Sequence, residues 1–352
     1  MSSKNSIRRR SFIKRSAAGA VGFGLLGNNL RRVTTKEPPA GRVGIIGLDT
    51  SHSTAFTNAL NDPSAGPEFG GYRVTAAYPH GSKDIKSSVD RIPRYTEEVK
   101  KLGVEIVGSI DELLKKTDVI LLETNDGRLH LEQAIEVMKA GKRMFIDKPV
   151  AASLADAIAI FRAAEHYNVP VFSSSSLRYI SGAADIAGGA VGNVLGADTY
   201  SPATIEVTHP DLFWYGVHGV ETLFTVMGTG CQSVTGTFTD ETDQVTGLWE
   251  GNRIGTFRGI RKGRSDYGGV VFGEKGIMTL GKYSGYNPLL VEIIKFFQTG
   301  IPPVSSVETI EIFAFMASAS ESKKLNGDRV LIESMIREAG READTTLESY
   351  LA

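Results

Sequence analysis

The chain has 352 residues, 41% of them hydrophobic and 22% charged, and a formal net charge of −1. That length exceeds one ordinary core and suits two domains of a soluble globular protein. The near-zero charge argues against nucleic acid as a partner, and a single cysteine, Cys231, rules out an internal disulfide or a cysteine-based zinc cage.

Residues 1–40 read as a targeting segment and linker. Arg9-Arg10-Ser11-Phe12-Ile13-Lys14 resembles the twin-arginine export motif, and the apolar, glycine-rich stretch from Ala17 to Leu26 fits a signal-peptide h-region. That stretch is too short for a stable membrane span. The resemblance implies the twin-arginine export machinery as a partner and a periplasmic or otherwise exported location. The polar tract "RRVTTKEPPA" (31–40) then leads into the folded part.

From residue 41 to 172, strand and helix signals alternate. "RVGIIG" reads as a buried strand, "STAFTNALND" as a helix, "YRVTAAY" as a strand and "SVDRIPRYTEEVKKLG" as a polar helix. After "VEIVGS" and "DELLKKT" come the very apolar strand "DVILLET", the amphipathic helix "HLEQAIEVMKAGK" and the strand "RMFIDKP". "LADAIAIFRAAEHYN" and "VPVFSS" close the series. This rhythm predicts a doubly wound parallel sheet with helices on both faces, a dinucleotide-binding domain. Between 173 and 335 the texture changes to Thr-, Val- and Gly-rich strands followed by two helical stretches, "PLLVEIIKFFQTG" and "VETIEIFAFMASASESKKLNG". These predict an α+β domain with a largely antiparallel sheet, whose exposed face would be a natural dimer surface. Residues 336–352 are expected to form a C-terminal tail.

Ligands of doubly wound sheets bind beyond the carboxyl ends of the strands, so the residues there are the site candidates. Only the first glycine of a G-x-G-x-x-G turn is present: the chain reads Gly47-Leu48-Asp49-Thr50-Ser51-His52. Backbone N–H groups and hydroxyls here could still meet a pyrophosphate, whereas Asp49 and His52 could equally be a helix cap and its neighbour. After the second strand no acidic residue is placed to hold a ribose 2′-hydroxyl. His80, Ser82 and Lys83 tilt the choice towards NADP over NAD. Thr124 and Asn125 end the most apolar strand and join the candidate cofactor set. His130 reads either as part of that loop or as a helix start.

The run "DVILLETNDGRLHLEQAIEVMKAGKRMFIDKPVAASLADAIAI", with "SLRY" (176–179) and the closing "FFQTGIPPVSSVETIEIFAFMASASES", resembles the glucose–fructose oxidoreductase/inositol dehydrogenase (Gfo/Idh/MocA) family. The family's E-K-P motif appears as Asp147-Lys148-Pro149. The resemblance implies that Lys148 stands between cofactor and sugar and controls the proton of the reacting hydroxyl, oriented by Asp147. It places Arg178 near cofactor and substrate, where a surface ion pair is the alternative. In "HPDLFWYGVHGVETLFTVMG" (209–228), His218 matches the family's histidine, expected to be an acid/base with a pKa near working pH. The family's aspartate is replaced by Trp214, and Glu221 takes the following acidic position. Spacings of three and four would set Trp214, His218 and Glu221 along one helical face as substrate contacts, with Tyr215 or Lys148 taking up the missing aspartate's work. No metal ligands are assigned.

The resulting expectation is an exported NAD(P)-dependent oxidoreductase acting on a CH–OH group of a sugar, glycoside or polyol, with tightly held cofactor and a homo-oligomeric state. The alternatives are a redox-neutral glycoside hydrolase or lyase that oxidises its substrate transiently, and a non-catalytic sugar- or partner-binding protein on the same scaffold.

Overall fold

A computed structural model describes residues 41–351; the export segment expected at 1–40 lies outside the described residues. The first eleven elements are β1 (Arg42–Ile46), α1 (Ser51–Asn61), β2 (Arg73–Tyr78), α2 (Lys86–Lys101), β3 (Glu105–Ile106), α3 (Ile110–Lys116), β4 (Val119–Leu122), α4 (His130–Lys139), β5 (Met144–Ile146), α5 (Leu154–His166) and β6 (Val171–Ser173). All six strands pair in parallel in the order β3-β2-β1-β4-β5-β6. β4 and β5 are buried along their whole length, which is why they read as unbroken apolar runs. The strand order reverses between β1 and β4, and that reversal opens a crevice at their carboxyl ends. Serine side chains cap α3 and α5, Ser109 accepting from the Glu112 N–H and Ser153 from the Asp156 N–H. α1 has no such cap.

The remaining elements are α6 (Ala183–Ala187), β7 (Val194–Pro202), α7 (Val217–Met227), β8 (Cys231–Phe238), β9 (Thr242–Trp249), β10 (Arg253–Ile260), β11 (Gly268–Gly273), β12 (Gly276–Leu280), α8 (Asn287–Thr299), α9 (Ser306–Lys324), β13 (Val330–Leu331) and α10 (Ile332–Leu351). Their sheet runs β12-β11-β7-β10-β9-β8-β13. It is antiparallel except for the parallel β7–β10 pair. α7 and α9 pack on one face. There Trp249 stacks between Phe224 and Phe315, with ring centroids 5.3 and 6.0 Å away, and donates its indole N–H to the Gly228 carbonyl. Burying a ring such as Phe224 stabilises the fold by about 1.5–3 kcal/mol.

Two helices leave the domain that their sequence position suggests. α8 returns to the first sheet, where Leu289, Ile293, Phe296 and Phe297 share a core with Val43, Ile45, Leu121 and Phe172. A parallel sheet is apolar on both faces and needs both covered; α8 supplies part of that cover. The segment taken as a tail forms α10, which packs on α5: Arg162 donates to the Gly340 carbonyl and to Asp344, each at 2.6 Å. Among the described residues no helix is long and apolar enough to cross a membrane.

Candidate active site

A cavity of about 320 Å³ opens at the carboxyl ends of the parallel strands, at the small end of ligand pockets. The first domain lines it with Thr50, Ser51, His52, Arg91, Asn125 and Lys148, and the second with Trp214, Tyr215, His218, Tyr267 and Tyr283. Tyr286, at the start of α8, completes the wall and bonds the Ser51 hydroxyl at 3.1 Å. Lys148 and His218, the two residues carried over from the family for proton handling, therefore border one space.

Lys148 directly follows the β5 loop residue Asp147, is 8% exposed and is joined to Pro149 by a cis bond. Asp147 is fully buried and bonds the His52 ring, Oδ1 to Nδ1, at 2.8 Å. Burial would raise its pKa, but the His52 ring and the Lys148 ammonium outweigh that and hold it below the usual carboxylate value. Asp147 thus fixes His52 beside the lysine and does not face the cavity itself. Behind both lies Glu123, the residue directly after β4, with its Oε2 3.9 Å from His52 Nδ1. Neither Glu123 oxygen, nor Asp147 Oδ2, nor the neighbouring Thr124 hydroxyl has a hydrogen-bond partner. Burial, reinforced by the Asp147 charge and opposed by Lys148, pushes the Glu123 carboxyl well above its ordinary pKa.

His218 is the second residue of α7 and is buried. The expected titration near working pH does not hold: burial, then the positive charge of Lys148, pushes its pKa well below the ordinary value. Its Nδ1 lies 2.6 Å from the Ser175 hydroxyl, whose oxygen already accepts the Leu177 N–H. The arrangement that satisfies both groups has the hydroxyl donating to Nδ1, which leaves a neutral ring with Nε2–H as a donor. Trp214 is not on the helix with His218 but in the turn before it, and reaches the cavity from there. Glu221 and Arg178 are corrected more strongly. The Glu221 carboxylate accepts from the Ser174 hydroxyl, the Ser175 N–H and Arg178 Nε, at 2.7, 2.8 and 2.9 Å. Arg178 also grips Glu308 at 2.6 Å. Neither residue lines the cavity, so the pair positions the Ser175–His218 contact instead of meeting substrate or cofactor. Tyr215 faces the cavity and shares a 3.0 Å hydroxyl contact with Tyr267.

At the modified turn, Gly47 has φ +90° and no room for a Cβ against the Thr124 backbone, so the first glycine is required. Asp49 stands where the second would be. Its buried carboxylate turns away from the cavity, accepting the Asn125 N–H at 3.0 Å and the Ser82 N–H at 3.2 Å. Burial raises its pKa and the two N–H donors oppose the rise. Asp49 is thus a tie between the loops after β1, β2 and β4. Arg128 tightens the same seam through Asp84 and Asp126, each at 2.6 Å. The Ser82 hydroxyl bonds Asp84, and Lys83 is exposed outside the cavity, so neither faces the site. His130 is the first residue of α4, with its ring nitrogens against the Thr124 and Val150 carbonyls, a structural role. What remains for an anionic cofactor fits at one end. The uncapped N-terminus of α1 presents Thr50 and Ser51 to the cavity without an acid in its first turn, and Arg91 and Asn125 stand beside it.

Residues 41–175 match the Gfo/Idh/MocA family, described as an oxidoreductase family with an NAD-binding Rossmann fold. The nucleotide-binding domain belongs to that family. In sequence, no curated protein matches the chain. In structure, it is similar to scyllo-inositol dehydrogenase from Lactobacillus casei with bound NAD(H) and scyllo-inositol, at 13% identity and TM-score 0.66, covering 84% of this chain and 99% of that one. An oxidoreductase from Agrobacterium radiobacter in complex with NAD+, L-tartaric acid and magnesium matches with 14% identity, TM-score 0.65 and the same coverage of 84% and 99%. An oxidoreductase from Thermotoga maritima gives 16% identity, TM-score 0.66 and again 84% and 99%. At these identities the likeness is one of fold, and it extends over both domains.

Sequence reasoning passed over Glu123, Arg91, Tyr267, Tyr283 and Tyr286. Glu123 carried a usable signal, an acid placed directly at the carboxyl end of a central apolar strand. The tyrosines sit in the second domain and at the start of α8, with no periodicity that marks them.

Proposed function

We propose that the chain is an exported NAD(P)-linked oxidoreductase acting on a CH–OH group of a sugar, glycoside or polyol. The carrying observation is that Lys148 and His218, from different domains, line one cavity beside the uncapped α1 N-terminus. When bound, the nicotinamide supplies the hydride acceptor or donor. Thr50, Ser51, Arg91 and Asn125 would hold it. Lys148 Nζ holds the reacting oxygen and relays its proton, while His218 Nε2–H donates to the same or a neighbouring oxygen. Trp214 and the tyrosines offer flat apolar faces edged with hydroxyls, the surface a polyhydroxylated ring fits. The structural neighbour that holds scyllo-inositol supports a cyclic polyol or sugar as substrate class.

The direct test is to denature the purified protein and identify any released nucleotide by mass. Nicotinamide dinucleotide is expected, and its identity also decides between NAD and NADP; the exposed His80 and Lys83 after β2 favour the phosphorylated form. Protein free of nucleotide and unable to bind it on addition would overturn the reading. Turnover of a glycoside with no change in nicotinamide absorbance would move it to the redox-neutral alternative. Export rests on Arg9–Lys14 and is checked by fractionating cells that express the chain with Arg9 and Arg10 changed to lysine. The face of the second sheet opposite α7 and α9 carries the exposed Tyr200 and Ile254, which suit a second copy of the chain; Ile254→Asp is expected to yield monomers in sedimentation.

A further inference from the structure

We propose that His52, Glu123 and Asp147 form a binding site for one divalent transition-metal ion, of the zinc or manganese class, at the carboxyl ends of β4 and β5. The inference goes beyond the oxidoreductase reading and does not rest on it. The three side chains come from separate stretches of chain, yet one ligand atom from each lies within 4.8 Å of the others. The separations from His52 Nδ1 are 2.8 Å to Asp147 and 3.9 Å to Glu123. An ion with bonds of about 2.1 Å in a tetrahedral shell needs ligand separations of roughly 3.4 Å, which these values straddle.

A second observation points the same way. Buried carboxylates elsewhere in the fold are supplied with donors: Asp49 and Glu311 by two backbone N–H groups each, Asp243 by Arg261, and Glu221 by three separate groups. Glu123 is the exception. It is 0% exposed, and neither oxygen has a partner. Asp147 Oδ2 is also without one, and these three are the only such carboxylate oxygens among the described residues. A buried carboxylate without a donor is costly unless a cation answers it. Lys148 is a neighbouring cation, but it lines the cavity and bonds neither Glu123 oxygen nor Asp147 Oδ2.

The donor set narrows the ion. One imidazole nitrogen and two carboxylate oxygens, with no sulfur, suit zinc, manganese or iron(II) and disfavour copper(I). Three protein ligands leave at least one position open. Because His52 lines the cavity, that position can be reached by water or by an oxygen of the substrate. Two carboxylates match a doubly charged ion, which leaves the Lys148 ammonium uncompensated and available to the substrate.

The test uses the full chain, stripped with a chelator and titrated by calorimetry with zinc chloride and, separately, manganese chloride. One ion per chain is expected for at least one of the two metals, with a raised unfolding midpoint that chelator reverses. Glu123→Gln keeps the shape and removes the charge, and is expected to weaken binding by more than roughly 100-fold, beyond what the loss of a supporting contact costs. Asp147→Asn is the second variant should the first not fold. Lys148→Met, which removes no ligand, is expected to bind the ion at least as well as the parent. Failure of the parent chain to bind either metal overturns the proposal, as does binding that Glu123→Gln leaves unchanged. The nucleotide-release experiment is read independently, so the two proposals fail separately.

Discussion

Two buried acids, Asp49 and Glu123, stand on either side of the strand-order reversal and are treated in opposite ways. Asp49 replaces a glycine in the turn after β1, and both its oxygens are taken by backbone N–H groups. Glu123 directly follows β4, and its oxygens are taken by nothing. The first is complete as protein structure; it stitches three loops together. The second is complete only with something added. Burial alone therefore does not separate an architectural acid from a functional one, whereas an inventory of its donors does.

The comparison can be pressed from several sides. The largest effect is expected on the β5 side, at Lys148: Lys148→Met should lower turnover by about 10²- to 10⁴-fold, as for loss of a proton-relaying group, beyond any loss of stability from removing the cation beside buried Asp147. Steady-state kinetics beside a thermal melt checks it. On the β1 side the effect falls on stability. Asp49→Ala strands two buried N–H groups and should cost about 2–4 kcal/mol by denaturant titration, with Asp49→Asn in between; an Asp49→Ala protein as stable as the parent would mean that the tie holds nothing. Lowering the pH probes the buried histidines. Burial holds His130, His209 and His218 below their ordinary pKa, so below about pH 6.5 each of the three binds more protons in the unfolded chain than in the folded one. Their contribution to stability is full above that value and falls as the pH drops, by up to about 1.4 kcal/mol per pH unit for each proton taken up, whereas the carboxyls of Asp49, Glu123 and Glu221, raised by burial, act in the opposite sense. His218→Gln should flatten the slope by one proton. The smallest effect belongs to Glu123→Gln in metal-stripped protein, which should stay within about 1 kcal/mol of the parent, because burial already pushes the Glu123 carboxyl towards its neutral form and the amide is its neutral isostere.

The parallel sheet was legible because β1, β4 and β5 are short apolar runs between helices, a pattern few other folds produce. Lys148 was legible through its motif, and the Gly47 turn through its first glycine. Other roles depended on partners that spacing does not reveal. Helical periodicity set Glu221 one turn beyond His218, but only the fold shows that this face meets Arg178, Ser174 and Ser175 and not the cavity. The same periodicity carried Trp214 into a helix that begins later, at Val217. The expected pKa of His218 was wrong because burial, invisible in a local window, outweighs its neighbours. Glu123 was overlooked since its relation to His52 spans three separate stretches of chain.

The return of α8 to the first sheet bears on how the protein is made. Phe296 and Phe297 complete a hydrophobic layer begun by Val43 and Ile45, so the first domain cannot finish folding when the ribosome has passed β6. At about 5–20 residues per second, the stretch from β6 to the end of α8 takes roughly 6 to 25 s to synthesise. During that interval part of the sheet's oily surface stays uncovered, a natural target for a holding chaperone. A fragment cut after β6 would carry the same defect permanently and is expected to aggregate.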